Sequence, residues 1–517
     1  MPVGSTTPLV GGDRQILDAC LIAWQDIVEN RLYLTGTASH HEHFHDNFDL
    51  PNTGNVGETC VTVTWLQFNA QLLRLTGEAR FAEELEKVVL NQLFGAQWPD
   101  CAAWGYYVEM EGKKPYSATL DGHCCLSSGP RGVALIPTFA MSTDADGVVV
   151  NLYDAGKAQL TLRDQTSVAM AIETMFPSDG RVRIAVNPPA KKAFAVKLRV
   201  PAWCREASAK VNGQALDLKC GADGYAAIAR EWKSGDAIEL NLKLEPRVVV
   251  GDHKQAGKVA VLYGPLVLAA DAALLGEGEP GLSAFAAAGP DLAALGVTPE
   301  PAPQAVKTWA GSQVFKIKAV TRRATENAPA GSAREIRLIP FADAGGTGSR
   351  YQIWLPLPGT GAGASLLFEG KESRSRWGNL SGSINDDPPS AVVTFDGKNA
   401  AEDWFAVTLD QPVAIRRVVF QHGKTFHDGG WFDAAGGKPR VQVQKSKGGA
   451  WETIGTLDEY AQTTATDSKG LKEGQVFTLR LAEPLKVFGV RVIGKPAGGD
   501  NASQAFSSCG GLKAFAN

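Results

Sequence analysis

The first 140 residues and the rest of the chain carry two different hydrophobic periods. After Gly12 and Asp13, Leu17, Cys20, Leu21, Trp24, Ile27 and Val28 fall on one face of a 3.6-residue repeat, which predicts a helix with Asp13 as its N-cap. The stretch "ETCVTVTWLQFNAQLLRL", residues 58–75, is apolar nearly all round and predicts a helix covered on several sides. "EARFAEELEKVVLNQLF" follows, with Phe81, Leu85, Val88 and Val89 on one stripe. A fourth helix is expected from near Cys125 to about Met141, with Pro130 tolerated close to its start.

Past residue 145 the period becomes 2. "GVVVNLY", "QLTLRD", "VRIAVN", "AVKLRV", "AIELNLK" and "KVAVLYGPLVLA" are short alternating strands between Gly, Pro and Asp turns, the pattern of a β-sandwich. Residues 273–312 are rich in Ala, Gly and Pro and read as an insertion or linker. Strands resume with "VFKIKAV" and "IRLIPF". A second linker, "GTGAGA", precedes a final all-β block with "AVVTFD", "WFAVTLD", "RRVVFQHG", "RVQVQKS", "FTLRL" and "VFGVRVIG". The expected organisation is a helical region over residues 1–141, a β-sandwich over 142–250, a second β-rich region over 251–370 and a terminal β-sandwich over 371–517. The fold class is multidomain α + β.

Composition narrows the partners. The 517 residues are 44 % hydrophobic and 21 % charged, with a net charge of −4, so no basic excess points to nucleic acid or an anionic membrane. No apolar run is long enough to span a bilayer. The first residues lack the basic start and apolar core of a secretory signal, and localisation cannot be read.

The eight cysteines show no regular framework. Two of them, Cys124 and Cys125, are adjacent in "DGHCCLSSGPRG". A disulfide between them is the poorest reading, because neighbouring Cα atoms lie about 3.8 Å apart and bridged ones need about 4.4–6.8 Å. Two buried core thiols is the plain alternative. The third is a metal site. Upstream, "HHEHFHDNFDLPNTGNVGETC" places Glu42 among His residues and puts Glu58 and Cys60 at a helix start. In mid-helix, residues two apart diverge by about 200°, so each pair can share an ion only where its chain enters a helix. Two helix N-termini could then present one carboxylate and three thiols, a full tetrahedral set for zinc, and helix N-termini favour anions. The histidines offer a competing set, since His41, His43 and His45 alternate as on one strand face.

Several ordered motifs carry a resemblance. "YLTGTASHHEHFHDNFDLPNTGNVGETC", "WGYYVEMEGKKP", "GHCC", "KLRVPAWC", "KVNGQ", "GYAAIAREWKSGDAIELNL" and "GKVAVLYGPLVLA" resemble the β-L-arabinofuranosidases of glycoside hydrolase family 127 and their relatives in family 146, over roughly residues 10 to 270. The resemblance implies a retaining glycosidase acting on arabinose-containing oligo- or polysaccharides. It implies Zn2+ held by Glu58, Cys60, Cys124 and Cys125, with Cys124 as nucleophile and Glu42 as acid/base. His41, His43 and His123, next to these residues in sequence, are candidates to bind substrate. A carboxyl acid of this kind is expected to have a raised pKa, which neighbouring His⁺ would oppose. The alternative function is a non-catalytic carbohydrate-binding or accessory protein with a structural zinc site. Two departures stand out, the extra histidines around Glu42 and the continuation "CCLSSGPRG", where the family commonly has Pro and Asn.

The family's catalytic domain is an (α/α)6 barrel, and this chain resembles its last third. The helical region is therefore expected to be a partial barrel with an uncovered apolar face and an exposed zinc site, completed by an upstream segment or another chain, or associating as a homo-oligomer. Activity of the chain alone is expected to be impaired. The last block, with "FDGKNAAEDWFAVTLDQPVAIRRVVFQHG" and "VFGVRVIGKP", resembles discoidin-type (F5/8 type C) jelly rolls, the fold of family 32 carbohydrate-binding modules. His422 and Trp431, with His427 and Phe432 nearby, are candidates to face sugar, and Trp431 equally fits a sandwich core.

Overall fold

The computed structural model describes residues 14–44, 46–115, 122–276, 281–301, 313–321, 333–358, 365–367, 370–378, 380, 382–385 and 391–515. The histidine at 45 and the "GTGAGA" stretch lie outside the described residues. Four helices carry the first region: α1 (Arg14–Asn30), α2 (Thr59–Thr76), α3 (Ala79–Lys87) and α4 (Cys125–Ala140). Their positions follow the apolar stripes. On α1 only Trp24 is buried. It stacks against Trp65 and meets Phe81 edge-on, and its indole N–H donates to Asn69 Oδ1 at 2.7 Å.

The stripe after α3 does not continue as plain α-helix. Residues Val88–Leu93 form a π-helical segment with all six residues buried. The widened turn turns two amides on its inner side outward to other backbone. Asn91 donates to Pro265 O at 3.1 Å and accepts from Val267 N at 2.7 Å, and Gln92 donates to Val108 O at 2.9 Å. The helices are thus stitched to the sheet beside them.

That sheet has ten strands and is buried on both sides. Along the Leu266–Asp271 strand, Val267 and Ala269 join the core shared with the helices, while Leu266, Leu268 and Ala270 join a second core with Phe285, Phe315 and Ile317. This two-sided burial explains the unbroken apolar run that the sequence shows there. On the helical side the sheet meets the π-helical segment, and its residues share a core with the helices. Ile16 and Ile22 of α1 and Phe44 remain exposed.

The stretch expected to be a linker contributes to the same sheet. Strands Phe285–Ala287 and Thr298–Pro301 both pair with Gln313–Thr321, so local Ala/Pro richness was overridden by pairing with an apolar neighbour. The expected boundary after residue 250 also fails as a structural division. Pro246–Val250 and Lys258–Tyr263 form one antiparallel hairpin across it.

Between these regions stands the first β-sandwich. A four-stranded sheet (Tyr225–Trp232, Lys192–Arg199, Gly147–Val150, Met141–Thr143) faces a six-stranded one built on Gly156–Thr161 through Gln214–Leu216. Alternate inward residues such as Val148, Val196, Ile184 and Ile238 fill the core. It is fastened to α3 by Arg199, whose buried guanidinium pairs with Glu86 and, at 3.1 Å, with Glu83. Glu86 also accepts from the Trp203 indole at 2.7 Å.

The C-terminal block is a separate sandwich of the expected fold class. Motifs that read as separate strands merge into two long ones, Asp403–His422 and Val476–Gly494. Register shifts between Thr408 and Val413, and between Ile415 and Arg417, bend the pair. Phe405 and Val407 before the bends and Val418 and Phe420 after them then share one core.

Candidate active site

The four residues expected to hold a metal are placed by two helix starts. Glu58 is the extended N-cap of α2 and Cys60 its second residue; Cys124 and Cys125 are the N-cap and first residue of α4. The start of α2 is pinned from both sides. Glu58 N donates to Ser39 Oγ at 2.9 Å, and Thr59 donates from N to Tyr106 O at 3.0 Å and from Oγ1 to Gly105 O at 2.8 Å. Gly57 precedes them with φ +71, and a Cβ there would sit 2.4 Å from Val108 O. Only glycine fits that turn.

Glu58, Cys60, Cys124 and Cys125 place their ligand atoms within 4.8 Å of one another. Cys60 Sγ and Cys125 Sγ are 3.5 Å apart, and Cys124 Sγ is 3.9 Å from Cys125 Sγ and 3.8 Å from Glu58 Oε1. A tetrahedral ion with metal–sulfur bonds of about 2.3 Å has ligand–ligand edges of about 3.8 Å. The separations of 3.5–3.9 Å lie close to that edge length, so the four groups can surround a single ion. Burial pushes the Cys60 thiol up to about 11, raises Cys125 strongly, and raises Glu58 with help from the Glu42 charge. Without a cation these shifts keep the thiols protonated, and a bound cation would favour their ionised form. Among the described residues this is the one such group, and it can hold a metal ion.

Glu42 approaches from a different element. Residues 39–41 and 55–57 run side by side, with Gly57 N donating to Ser39 O at 3.1 Å and His41 N to Asn55 O at 2.9 Å. His40 also pairs with His43, so His41 and Glu42 occupy a tight turn with φ of 50 and 65. The histidines therefore do not alternate on a strand face, because the chain reverses at Glu42. His43 is exposed beside Glu42, and His41 Nδ1 lies 3.2 Å from Asn55 Nδ2. Neither belongs to the metal-capable group.

The carboxylate of Glu42 accepts from the Tyr106 hydroxyl and, at 3.1 Å, from the Tyr107 hydroxyl. These two bonds lower its pKa, and His43 and His41 add to the effect. The expected raised pKa is thus reversed. Glu42 is solvent-exposed and doubly hydrogen-bonded, so it lacks the burial that would favour its neutral form. The Tyr106 phenol is pushed up mainly by its bond to Glu42, and the Cys124 sulfur also acts on it. The Tyr106 carbonyl lies 3.9 Å from Cys125 Sγ, so this residue adjoins both Glu42 and the sulfur cluster. His123 packs its ring 5.1 Å from that of Tyr106, with Nδ1 buried and unpartnered among the described residues.

Tyr106 and Tyr107 were not singled out from the sequence, although "WGYY" was part of the resembling pattern. Nothing local marks a tyrosine as a partner for a glutamate 64 residues away. Two candidates in the terminal sandwich are corrected. His422 is fully buried, with Nε2 2.9 Å from Thr425 Oγ1, and Trp431 is buried with its indole N–H on Thr464 O at 2.9 Å. Both belong to the sandwich interior, where His422 Nε2 and the Trp431 indole find hydroxyl and backbone partners, and neither presents a face to sugar. Phe432 is likewise in the core.

Comparison with known proteins agrees with this geometry. Residues 6–138 match the family description "Beta-L-arabinofuranosidase, GH127 catalytic domain" and residues 147–244 the corresponding middle domain. The chain is 28 % identical over 288 residues to the non-reducing end β-L-arabinofuranosidase of Bifidobacterium longum subsp. longum, covering 50 % of this chain and 43 % of that protein. A solved GH127 β-arabinofuranosidase shares the fold with a TM-score of 0.60 at 27 % identity, covering 67 % of this chain and 57 % of the other. A GH127 β-L-arabinofuranosidase from Geobacillus stearothermophilus T6 superposes with a TM-score of 0.58 at 23 % identity over the same shares. The chain spans less than half the length of the curated relative. Over residues 6–138 and 147–244 the chain is thus similar to the catalytic and middle domains of the β-L-arabinofuranosidases of glycoside hydrolase family 127.

Proposed function

We propose that this chain is a retaining glycoside hydrolase of the β-L-arabinofuranosidase type, acting on arabinofuranosyl-containing glycans with a zinc-bound Cys124 as nucleophile and Glu42 as acid/base. The observation that carries the reading is the carboxylate and three sulfurs gathered within 4.8 Å of one another, with Glu42 hydrogen-bonded to Tyr106, whose carbonyl lies 3.9 Å from Cys125 Sγ. Sulfur-rich tetrahedral sets favour zinc. Bound zinc would keep the thiols of Cys60, Cys124 and Cys125 deprotonated at neutral pH.

The chain's own groups then divide the work. Cys124 is the exposed sulfur of the cluster, so its Sγ can reach an anomeric carbon while Cys60 and Cys125 stay inside. The C–O bond to the leaving group breaks as the C–S bond forms, and Glu42 delivers a proton to the departing oxygen. In the second step Glu42 takes a proton from water, which attacks the same carbon and returns the sulfur. Glu42 rests as a carboxylate, the form the second step needs. The first step needs its protonated form, which the two tyrosine bonds disfavour. Glu42 and Cys124 are both open to solvent, and water-exposed groups hold a substrate less firmly in its reactive pose. Turnover by the 517-residue chain alone is therefore proposed to be slow.

An activated aryl β-L-arabinofuranoside tests the reading by mass spectrometry. Wild-type protein should hold about one zinc per chain, as one tetrahedral site requires. Glu42→Gln should keep zinc and accumulate a pentosyl adduct on the Cys124 peptide, because departure of a good leaving group needs little acid help whereas water still needs a base. Unchanged turnover in Glu42→Gln overturns the mechanism. Folded wild-type protein without zinc overturns the site. Zinc-loaded protein that never forms the adduct favours an accessory, carbohydrate-binding role with a structural metal.

A further inference from the structure

We propose that Ser128 and Arg131 are positioning residues for the ligand Cys60, a relay across two helices that holds its sulfur in the metal-binding arrangement. This rests on the zinc reading above. Cys125, Ser128 and Arg131 recur every third residue along α4, so they share one side of that helix. Ser128 Oγ lies 3.1 Å from Cys60 Sγ on α2, and Arg131 Nη2 donates to Ser128 Oγ at 3.2 Å.

The direction of the relay follows from donor counting. A guanidinium offers only donors, and a hydroxyl has one hydrogen and two lone pairs. Ser128 therefore accepts from Arg131, which leaves its single hydrogen for Cys60 sulfur. Neighbouring Ser127 shows the usual alternative for a serine in a helix, donating back to Cys124 O at 2.9 Å. Ser128 does not turn back. It is buried, so water does not compete for its hydroxyl, while Arg131 is exposed and carries its charge at the rim. Cys124 and Cys125 are adjacent and move with α4. Cys60 is the one thiol contributed by α2, and the hydroxyl bridge ties it to the helix bearing the other two. Groups one layer behind a metal ligand typically change affinity by about 10–100-fold when removed.

Zinc dissociation into a chromogenic chelator measures this without reference to turnover. Ser128→Ala should weaken zinc binding by about 10–100-fold, and Ser128→Thr, which restores a hydroxyl, should recover most of it. Arg131→Met should have a smaller effect that disappears in the Ser128→Ala background, since it acts only through Ser128. Thermal melts of the metal-free forms should coincide. Zinc-loaded wild type with Ser128→Ala releasing metal at the same rate overturns the proposal alone, as does Ser128→Thr behaving like Ser128→Ala. A wild-type chain that takes up no zinc overturns the metal centre and this inference together.

Discussion

Single residues in this protein are tuned by what they were folded against. Glu42 is a carboxylate whose pKa is lowered by two phenols. Replacing Tyr106 by Phe removes the larger of the two causes, so the Glu42 midpoint should move up toward the ordinary carboxylate range. At a given acidic pH more of it is then protonated. Carbon-detected NMR titration of the labelled carboxyl reads this directly, and an unchanged midpoint would show that the Tyr106 bond is not made. His422 behaves in the opposite sense to a surface histidine. Burial lowers its pKa to about 4, while the unfolded chain takes up the proton near 6.5. The terminal sandwich therefore keeps its full stability above about pH 6.5 and loses it as pH falls toward 4, by about 3 kcal/mol at most. Hydrogen exchange of the Asp403–His422 strand should speed up through that window, and His422→Leu should flatten the response. Of these residues the sequence revealed identity and spacing only; the burial of His422 and the tyrosine partners of Glu42 came from contacts far along the chain.

At the scale of elements, the site depends on how closely α4 can lie against its neighbours. A Cβ on Gly129 would fall 2.0 Å from the Trp104 ring, and Trp104 begins the loop that carries Tyr106 and Tyr107. Gly129→Ala must push α4 or that loop away. Overpacking of this kind costs about 1–3 kcal/mol. We expect a lower melting temperature and fewer than one zinc per chain; a variant with wild-type stability and full zinc content would show that α4 has slack at this point. Helix positions were legible because each apolar stripe is a local pattern. The π-helical segment Val88–Leu93 was not, since its widened turn is set by Asn91 reaching Pro265 and Val267. Nor was the fusion of paired motifs into the long strands Asp403–His422 and Val476–Gly494, because bulges arise from register with a partner rather than from one strand's own residues.

Across the whole molecule, the helical region and the first sandwich are joined by a buried charge. Arg199 is fully buried and holds Glu86, which is itself buried, and Glu83. Arg199→Leu would leave Glu86 without its counter-charge, and breaking a buried pair in this way costs about 3–5 kcal/mol. Calorimetry should show the helical region and first sandwich melting earlier while the terminal sandwich holds; a melt unchanged in both would mean that Glu86 takes up a proton without penalty. The sequence by itself determined the change of period near residue 145, the helix starts that carry Glu58, Cys60, Cys124 and Cys125, and the motif order that resembles glycoside hydrolase family 127. Those are local properties, written in spacing and in residue chemistry. Tertiary structure decided the rest. It gathered one carboxylate and three sulfurs within 4.8 Å of one another, gave Glu42 its tyrosines, drew the Ala/Pro-rich stretch into a sheet and put His422 and Trp431 inside a core. Each of these depends on residues tens to hundreds of positions apart, and only packing brings such residues within the few ångströms over which hydrogen bonds and burial act.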